Sequence, residues 1–195
     1  MCGRTTLASL VAVVLVGAMA LPAAAQERNR GAVPAPGMLG IGGSIGAAPP
    51  SEPSFTNGLA LTGNVEGYLT RRVSIRGQVD GAFWDITGRG FTGNVRPMAF
   101  DGNVVYNFEG GRIHPFVTGG VGLYHYHFNE NPIEGSSDKF GVDFGGGLEY
   151  FVHRHTTATA EFLYHDVNSP VHSPATNFNN SNYWTVTFGL KQYFR

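Results

Sequence analysis

The chain has 195 residues, with 13 Lys or Arg against 14 Asp or Glu and a formal net charge of −1. Charged residues make up 14%, where a soluble domain averages about 25%, and 28 glycines stand well above the usual share. This balance excludes a nucleic-acid-binding surface and supplies too little charge to cover the exterior of a water-soluble domain.

Residues 1–25 carry Arg4, an apolar run from Leu7 to Leu21, and Pro22-Ala23-Ala24-Ala25 before the polar Gln26-Glu27-Arg28. Charge, apolar core and an A-x-A site in this order predict a secretory signal peptide, with an apolar stretch too short for a membrane anchor. Cys2, the one cysteine, falls inside it, which excludes disulfides, thiolate catalysis and cysteine metal sites in the mature chain. Loss of Arg4 leaves 12 basic and 14 acidic residues, a formal charge of −2. Residues 26–37, with two prolines and scattered charges, read as a flexible periplasmic lead-in. Beyond it no segment has the roughly 20 consecutive apolar residues of a membrane helix.

From residue 38 onward, period-2 runs predict strands near 38–46, 57–69, 73–86, 96–108, 113–128, 139–152, 156–167 and 183–194. Leu59, Leu61, Val65 and Leu69 oppose Thr62, Asn64, Glu66 and Tyr68; Val73, Ile75, Val79 and Phe83 oppose Ser74, Arg76, Gln78 and Asp80. Phe100, Val104, Tyr106 and Phe108 oppose Asp101, Asn103 and Asn107, and Val142, Phe144, Leu148 and Tyr150 oppose Asp143 and Glu149. Ala158, Ala160, Phe162 and Tyr164 oppose Thr159 and Glu161, while Trp184, Val186, Phe188, Leu190 and Phe194 oppose Thr185, Thr187, Lys191 and Tyr193. The first and fifth runs, glycine-rich or apolar on both sides, leave either face open. Short links at 70–72, 109–112 and 153–155 alternate with longer ones near 47–56, 87–95, 129–138 and 168–182. The expectation is an all-β fold: an eight-stranded antiparallel up-and-down transmembrane β-barrel over 38–195, with short periplasmic turns and long extracellular loops.

A soluble eight-stranded cup would alternate in the same way. Low charge, runs longer than the 9–11 residues of a tilted spanning strand, and aromatics near strand ends favour the membrane. Those aromatics are Tyr68, Phe83, Trp84, Phe108, Tyr124, Tyr126, Phe128, Tyr150, Phe151, Tyr183, Trp184 and Phe194, read as interfacial girdles.

The stretches Asn103–Phe108, Pro115–Tyr124, Phe144–Tyr150 and Ala160-Glu161-Phe162 together resemble the small outer-membrane β-barrel domain family, related to the OmpA transmembrane domain, OmpX and the opacity proteins. The resemblance spans most of the chain after the signal peptide and implies an outer-membrane location and delivery by the barrel-assembly machinery. Arg195 departs from the pattern by following the aromatic that such proteins often place last.

The candidate site is the polar lumen, with Glu66, Asp80, Asp101, Asp143, Glu149 and Glu161 against Arg76 and Lys191. A tight turn at 70–72 sets Glu66 opposite Arg76, a cross-strand ion pair that plugs a narrow barrel and catalyses nothing; unpaired inner carboxylates require water, protons or metal. His125 and His127 share a face near the extracellular rim, where His165 and His172 approach the same level, but their spacing has no dedicated metal signature. His165-Asp166-Val167-Asn168 distantly resembles the His-x-Ser-Asn region of lipid A deacylases, with Val167 at the nucleophile position, so a hydrolase of that kind would be inactive. Thus no catalytic, cofactor or metal residue is assigned. The expected protein is a monomer, not an enzyme, with a structural or surface-interaction role through loops 130–138 and 168–182, outer-membrane lipid and lipopolysaccharide being its surroundings. A small apolar ligand bound in the wall is the other binding role.

Overall fold

The structure is a computed structural model that describes residues 34–49, 58–88, 91–108, 110–130, 133–167, 171–172, 177–178 and 182–195. Its strands are β1 (Leu39–Ala48), β2 (Gly58–Tyr68), β3 (Val73–Gly88), β4 (Phe91–Asn107) and β5 (Ile113–Glu130). They continue as β6 (Ile133–His153), β7 (Thr156–Val167), β8 (Val171–His172), β9 (Asn177–Phe178) and β10 (Tyr183–Phe194). Eight of them close a barrel in the order β1-β10-β7-β6-β5-β4-β3-β2, and β8 and β9 form a separate two-stranded ribbon. Closure is antiparallel, from Leu39 opposite Phe194 to Ala47 opposite Val186, so no barrel edge is left unpaired.

The turns at one end are tight because local hydrogen bonds hold them. In the β2–β3 turn the Thr70 hydroxyl accepts from the Arg72 and Val73 amides at 3.1 and 2.9 Å, while the Leu69 and Thr70 amides both donate to the Val73 carbonyl. This fixes a register with Glu66 opposite Arg76 and Thr62 opposite Asp80.

At the other end the expected loops near 87–95 and 129–138 are instead hairpins. Pairing runs to Gly88 opposite Phe91 and to Glu130 opposite Ile133, and β6 reaches 21 residues. Backbone ladders do not need alternating apolar side chains, and beyond the apolar belt that alternation fades while the ladder continues. The polar stretch 133–138 therefore belongs to β6. The expected lead-in over 26–33 and the link at 50–57 lie outside the described residues.

The polarity of the barrel is inverted. Leu123, Phe188, Val152 and Leu190 are each more than 60% exposed and stand on an outer apolar belt with Ile45, Leu69, Ile75, Phe100, Val104 and Phe144. Glu66, Arg76, Glu149 and Lys191 are at most 2% exposed inside. Water rewards the opposite arrangement, so the belt is a lipid-facing surface.

The two ambiguous strands resolve by what lies behind them. In β5, Val117, Val121 and Leu123 face out and Phe116, Thr118 and Tyr124 face in. In β1, Leu39, Ile41 and Ile45 face out, leaving Gly40, Gly42, Ser44, Gly46 and Ala48 inside. Those small residues make room: a Cβ on Gly40 would lie 3.1 Å from Lys191 Cδ, and one on Gly42 would lie 2.9 Å from Asn64 Oδ1.

The aromatics divide between two tasks. Phe83, Phe108, Tyr150, Trp184 and Phe194 are exposed on the outer face, but Tyr68, Trp84, Tyr124, Tyr126, Phe151 and Tyr183 are buried inside. Strand parity decides this, since neighbours such as Phe83 and Trp84 must point to opposite faces. The inner set forms two clusters. Trp84, Tyr124, Tyr126 and Tyr183 pack with Ala48, Ala60, Ala82, Val95, Ala99 and Val167 toward the hairpin end, whereas Tyr68, Phe151 and Tyr193 pack against Met38 at the turn end.

Candidate functional site in the barrel interior

Between the two aromatic clusters lie all eight charged residues read from the polar faces, in two layers of different chemistry. The layer nearer the turn end is an ion-pair network. Glu66 accepts from Ser74 Oγ at 2.5 Å, Arg76 Nε at 3.0 Å and Lys191 Nζ at 2.6 Å. Arg76 also donates to Glu161 at 2.6 Å and its guanidinium lies 5.1 Å from the Phe116 ring centroid. Lys191 bridges to Glu149, which accepts a second bond from Tyr193 Oη at 2.5 Å, and Tyr193 meets Tyr68 Oη at 3.1 Å.

Local sequence builds this layer. Period-2 spacing puts Glu66 and Tyr68 on one face of β2, Ser74 and Arg76 on one face of β3, and Lys191 and Tyr193 on one face of β10. Phe116 reaches across because β6 offers no side chain opposite it: it pairs with Gly147, where a Cβ would lie 2.7 Å from its ring. Each base serves two glutamates, which offsets the large desolvation cost of burying these groups. Three glutamates against two bases leave a formal charge of −1, so the network has no cation to spare.

The second layer holds Asp80, Asp101 and Asp143. Asp80 accepts from Thr62 Oγ1 at 2.6 Å and Gln78 Nε2 at 2.8 Å, and Asp143 accepts from Asn103 Nδ2 at 2.8 Å. Both Asp101 oxygens, Asp143 Oδ2, Asn103 Oδ1 and Gln78 Oε1 are buried without a hydrogen-bond partner among the described residues. Glycines make space for this layer: a Cβ on Gly122 would lie 1.7 Å from Asp101 Oδ1, and one on Gly120 would lie 2.0 Å from Asn103 Oδ1. An acceptor-rich layer of this kind favours protons or water over an anion. Among the described residues, no group of three or more His, Cys, Asp or Glu is arranged to hold a metal ion.

The histidines do not converge. His125 and His127 are on the outer face of β5, where His125 Nδ1 lies 2.5 Å from Asp138 Oδ1, but His165 is fully buried in the lumen. The His165 ring stacks on Tyr183 at 4.4 Å, with Nδ1 3.0 Å from Tyr124 Oη and Nε2 3.4 Å from Thr185 Oγ1. Val167, at the nucleophile position of the resemblance, is buried on the same inner face as His165, and Asp166 between them is exposed on the opposite face. The side chain of His172 lies outside the described set.

Sequence reasoning missed the inner partners Ser74, Tyr68, Tyr193, Phe116 and Asn103 as a connected set. The parity of all but Phe116, whose strand leaves either face open in the sequence, was visible, but which polar groups meet across the lumen depends on barrel stagger, which a single strand does not reveal.

Comparison with curated proteins finds no match. Among solved structures, the chain is similar to the outer membrane protein OprG of Pseudomonas aeruginosa, at 14% identity and a TM-score of 0.62, over 83% of this chain and 97% of that one. It is also similar to the Yersinia pestis attachment invasion locus protein Ail, solved with the heparin analogue sucrose octasulfate, at 13% identity and a TM-score of 0.59, over 82% and 99%. The N-terminal β-barrel domain of Pseudomonas aeruginosa OprF gives 14% identity and a TM-score of 0.56, over 83% and 100%. At these identities the likeness establishes the shared barrel fold. A family signature described as the outer membrane protein beta-barrel domain matches residues 11–194, and with the inverted, closed barrel it shows that the chain belongs to that family.

Proposed function

We propose that the protein is a sealed outer-membrane barrel that acts through its exterior, in a structural or surface-interaction role, and that it neither conducts solutes nor hydrolyses lipid. One observation carries this reading: the described lumen is filled from end to end by an aromatic cluster, an acidic layer, a saturated ion-pair network and a second aromatic cluster. A solute would have to break several buried ion pairs to pass, each costing about 3–5 kcal/mol to disrupt from one side. Burial of His165 among Tyr124, Tyr183 and Thr185 supports the absence of hydrolysis.

In this reading the tight turns face the periplasm and the β3–β6 hairpins project outside, as the length asymmetry of such barrels supports. Lipopolysaccharide then surrounds the hairpin end, the signal peptide directs export, and the chain works as a monomer after delivery by the barrel-assembly machinery. Planar bilayers containing the refolded protein are expected to show no stepwise conductance, and lipid A from expressing cells is expected to be unaltered on thin-layer analysis. Regular conductance steps or a deacylated lipid A species would overturn the proposal.

A further inference from the structure

Outside the lumen, unbalanced positive charge collects at one end of the barrel. Every described connection at the turn end carries arginine: Arg71 and Arg72 between β2 and β3, Arg112 between β4 and β5, Arg154 between β6 and β7, and Arg195 directly after β10. All five are exposed, and His153 and His155 flank Arg154. The sequence places one acid, Glu109, in these connections. At the hairpin end the described side chains outside the lumen balance, Asp138 and Asp166 against Arg96 and Lys139.

In the ring order of strands these four sites fall at every second junction, so the arginines surround the barrel. Each also follows closely on an outward apolar residue: Leu69, Phe108, Val152 and Phe194 are 60%, 42%, 62% and 48% exposed on the belt. An arginine just beyond a lipid-facing belt lays its stem along the apolar surface and puts its guanidinium at headgroup depth. There the planar fork matches a phosphate diester with two parallel hydrogen bonds.

We propose that this arginine ring is a binding surface for anionic glycerophospholipid headgroups, of the phosphatidylglycerol class, in the leaflet at the turn end. The ring fits an annular ligand because it covers all sides of the barrel; a macromolecule docking from below would need a patch on one face. Its placement in the inner leaflet rests on the orientation proposed above, whereas headgroup selection does not.

The test is lipid selectivity in vesicles. The refolded mature barrel is placed in phosphatidylcholine vesicles doped with spin-labelled phosphatidylglycerol or spin-labelled phosphatidylcholine, and the immobilised fraction of each is measured. The expected result is a preference for phosphatidylglycerol of about fivefold per arginine contact at low salt, weakened at high ionic strength. It should fall to parity when Arg71, Arg72, Arg112, Arg154 and Arg195 are all changed to Gln, persist but weaken in the matching Arg→Lys set, which keeps the charge and loses the fork, and be unchanged by Arg96→Gln. Heat-dependent gel mobility confirms folding of each variant, and single Arg→Gln changes replace the full set if that set does not fold. Equal immobilisation of both lipids by the wild type, or a preference that persists without the five arginines, overturns the proposal. So does arginine-dependent retention on peptidoglycan sacculi without lipid preference, which would assign the ring to a cell-wall polymer. Symmetric vesicles give the same answer for either insertion direction; protease accessibility of the hairpins in intact cells separately tests the orientation.

Discussion

Replacing Lys191 with Met keeps the length of the side chain and removes its charge, which isolates the electrostatic role of the network. Lys191 Nζ serves Glu66 and Glu149 together. After the change Glu66 keeps Arg76 Nε at 3.0 Å and Ser74 Oγ at 2.5 Å, but among the described residues Glu149 keeps only the bond from Tyr193 Oη at 2.5 Å. The formal charge of the five-residue cluster moves from −1 to −2 in a space that is at most 2% exposed at Glu66, Arg76, Glu149 and Lys191. Removing one partner of a buried pair costs about 3–5 kcal/mol, because the remaining charge stays desolvated. Lys191→Met should therefore destabilise the barrel by about that amount. Adding Glu149→Gln returns the cluster to its original charge and leaves the Glu66–Arg76 pair intact, so the double variant should recover about 2 kcal/mol as coupling energy. Equilibrium unfolding by guanidinium from lipid vesicles, followed by tryptophan emission, measures both quantities. A loss below about 1 kcal/mol, the range of a solvated surface pair, would refute the reasoning, as would additive effects in the double variant.

Glycine position makes a paired prediction. Gly120→Ala puts a Cβ 2.4 Å from the Gly102 carbonyl oxygen and 2.0 Å from Asn103 Oδ1, so it should cost about 1–3 kcal/mol or block folding, whereas Gly77→Ala and Gly102→Ala meet nothing within 4 Å and should be neutral or slightly stabilising in the same unfolding assay. Asp101→Asn should stabilise the barrel by about 1–3 kcal/mol at neutral pH, since an amide can donate to the unpaired oxygens around it; destabilisation would show that the carboxylate charge is required. Trp84→Phe removes the 2.8 Å bond from Nε1 to the Ala48 carbonyl while retaining ring contact with Tyr183, and should cost about 1 kcal/mol, against about 3–5 kcal/mol for Trp84→Ala.

Alternation made the fold legible. Sides of β2, β3, β7 and β10 follow from period-2 patterning, and the turn at 70–72 carried enough local chemistry to set Glu66 opposite Arg76. The strands of the hairpin end were less visible because their outer halves carry polar residues on both faces, as at Ser136, Ser137 and Asp138, and only backbone pairing defines them. Aromatics misled in a different way. Trp84, Tyr124 and Tyr183 sit at strand ends like girdle residues, yet parity turns them inward, where they plug the lumen beside the acidic layer. Contacts such as Lys191 to Glu149, past β7, and Arg76 to Glu161, between β3 and β7 across the lumen, depend on the stagger of the closed barrel, a property of the whole chain.

The central claim is the inverted polarity of the barrel, and its two tryptophans test it directly, because Trp184 is 38% exposed on the lipid face and Trp84 is 4% exposed inside the lumen. Single-tryptophan variants, Trp84→Phe and Trp184→Phe, folded into vesicles with brominated acyl chains, report the contact of each ring with lipid. The account predicts strong quenching of Trp184 and little quenching of Trp84; equal quenching of both, or stronger quenching of Trp84, would contradict it.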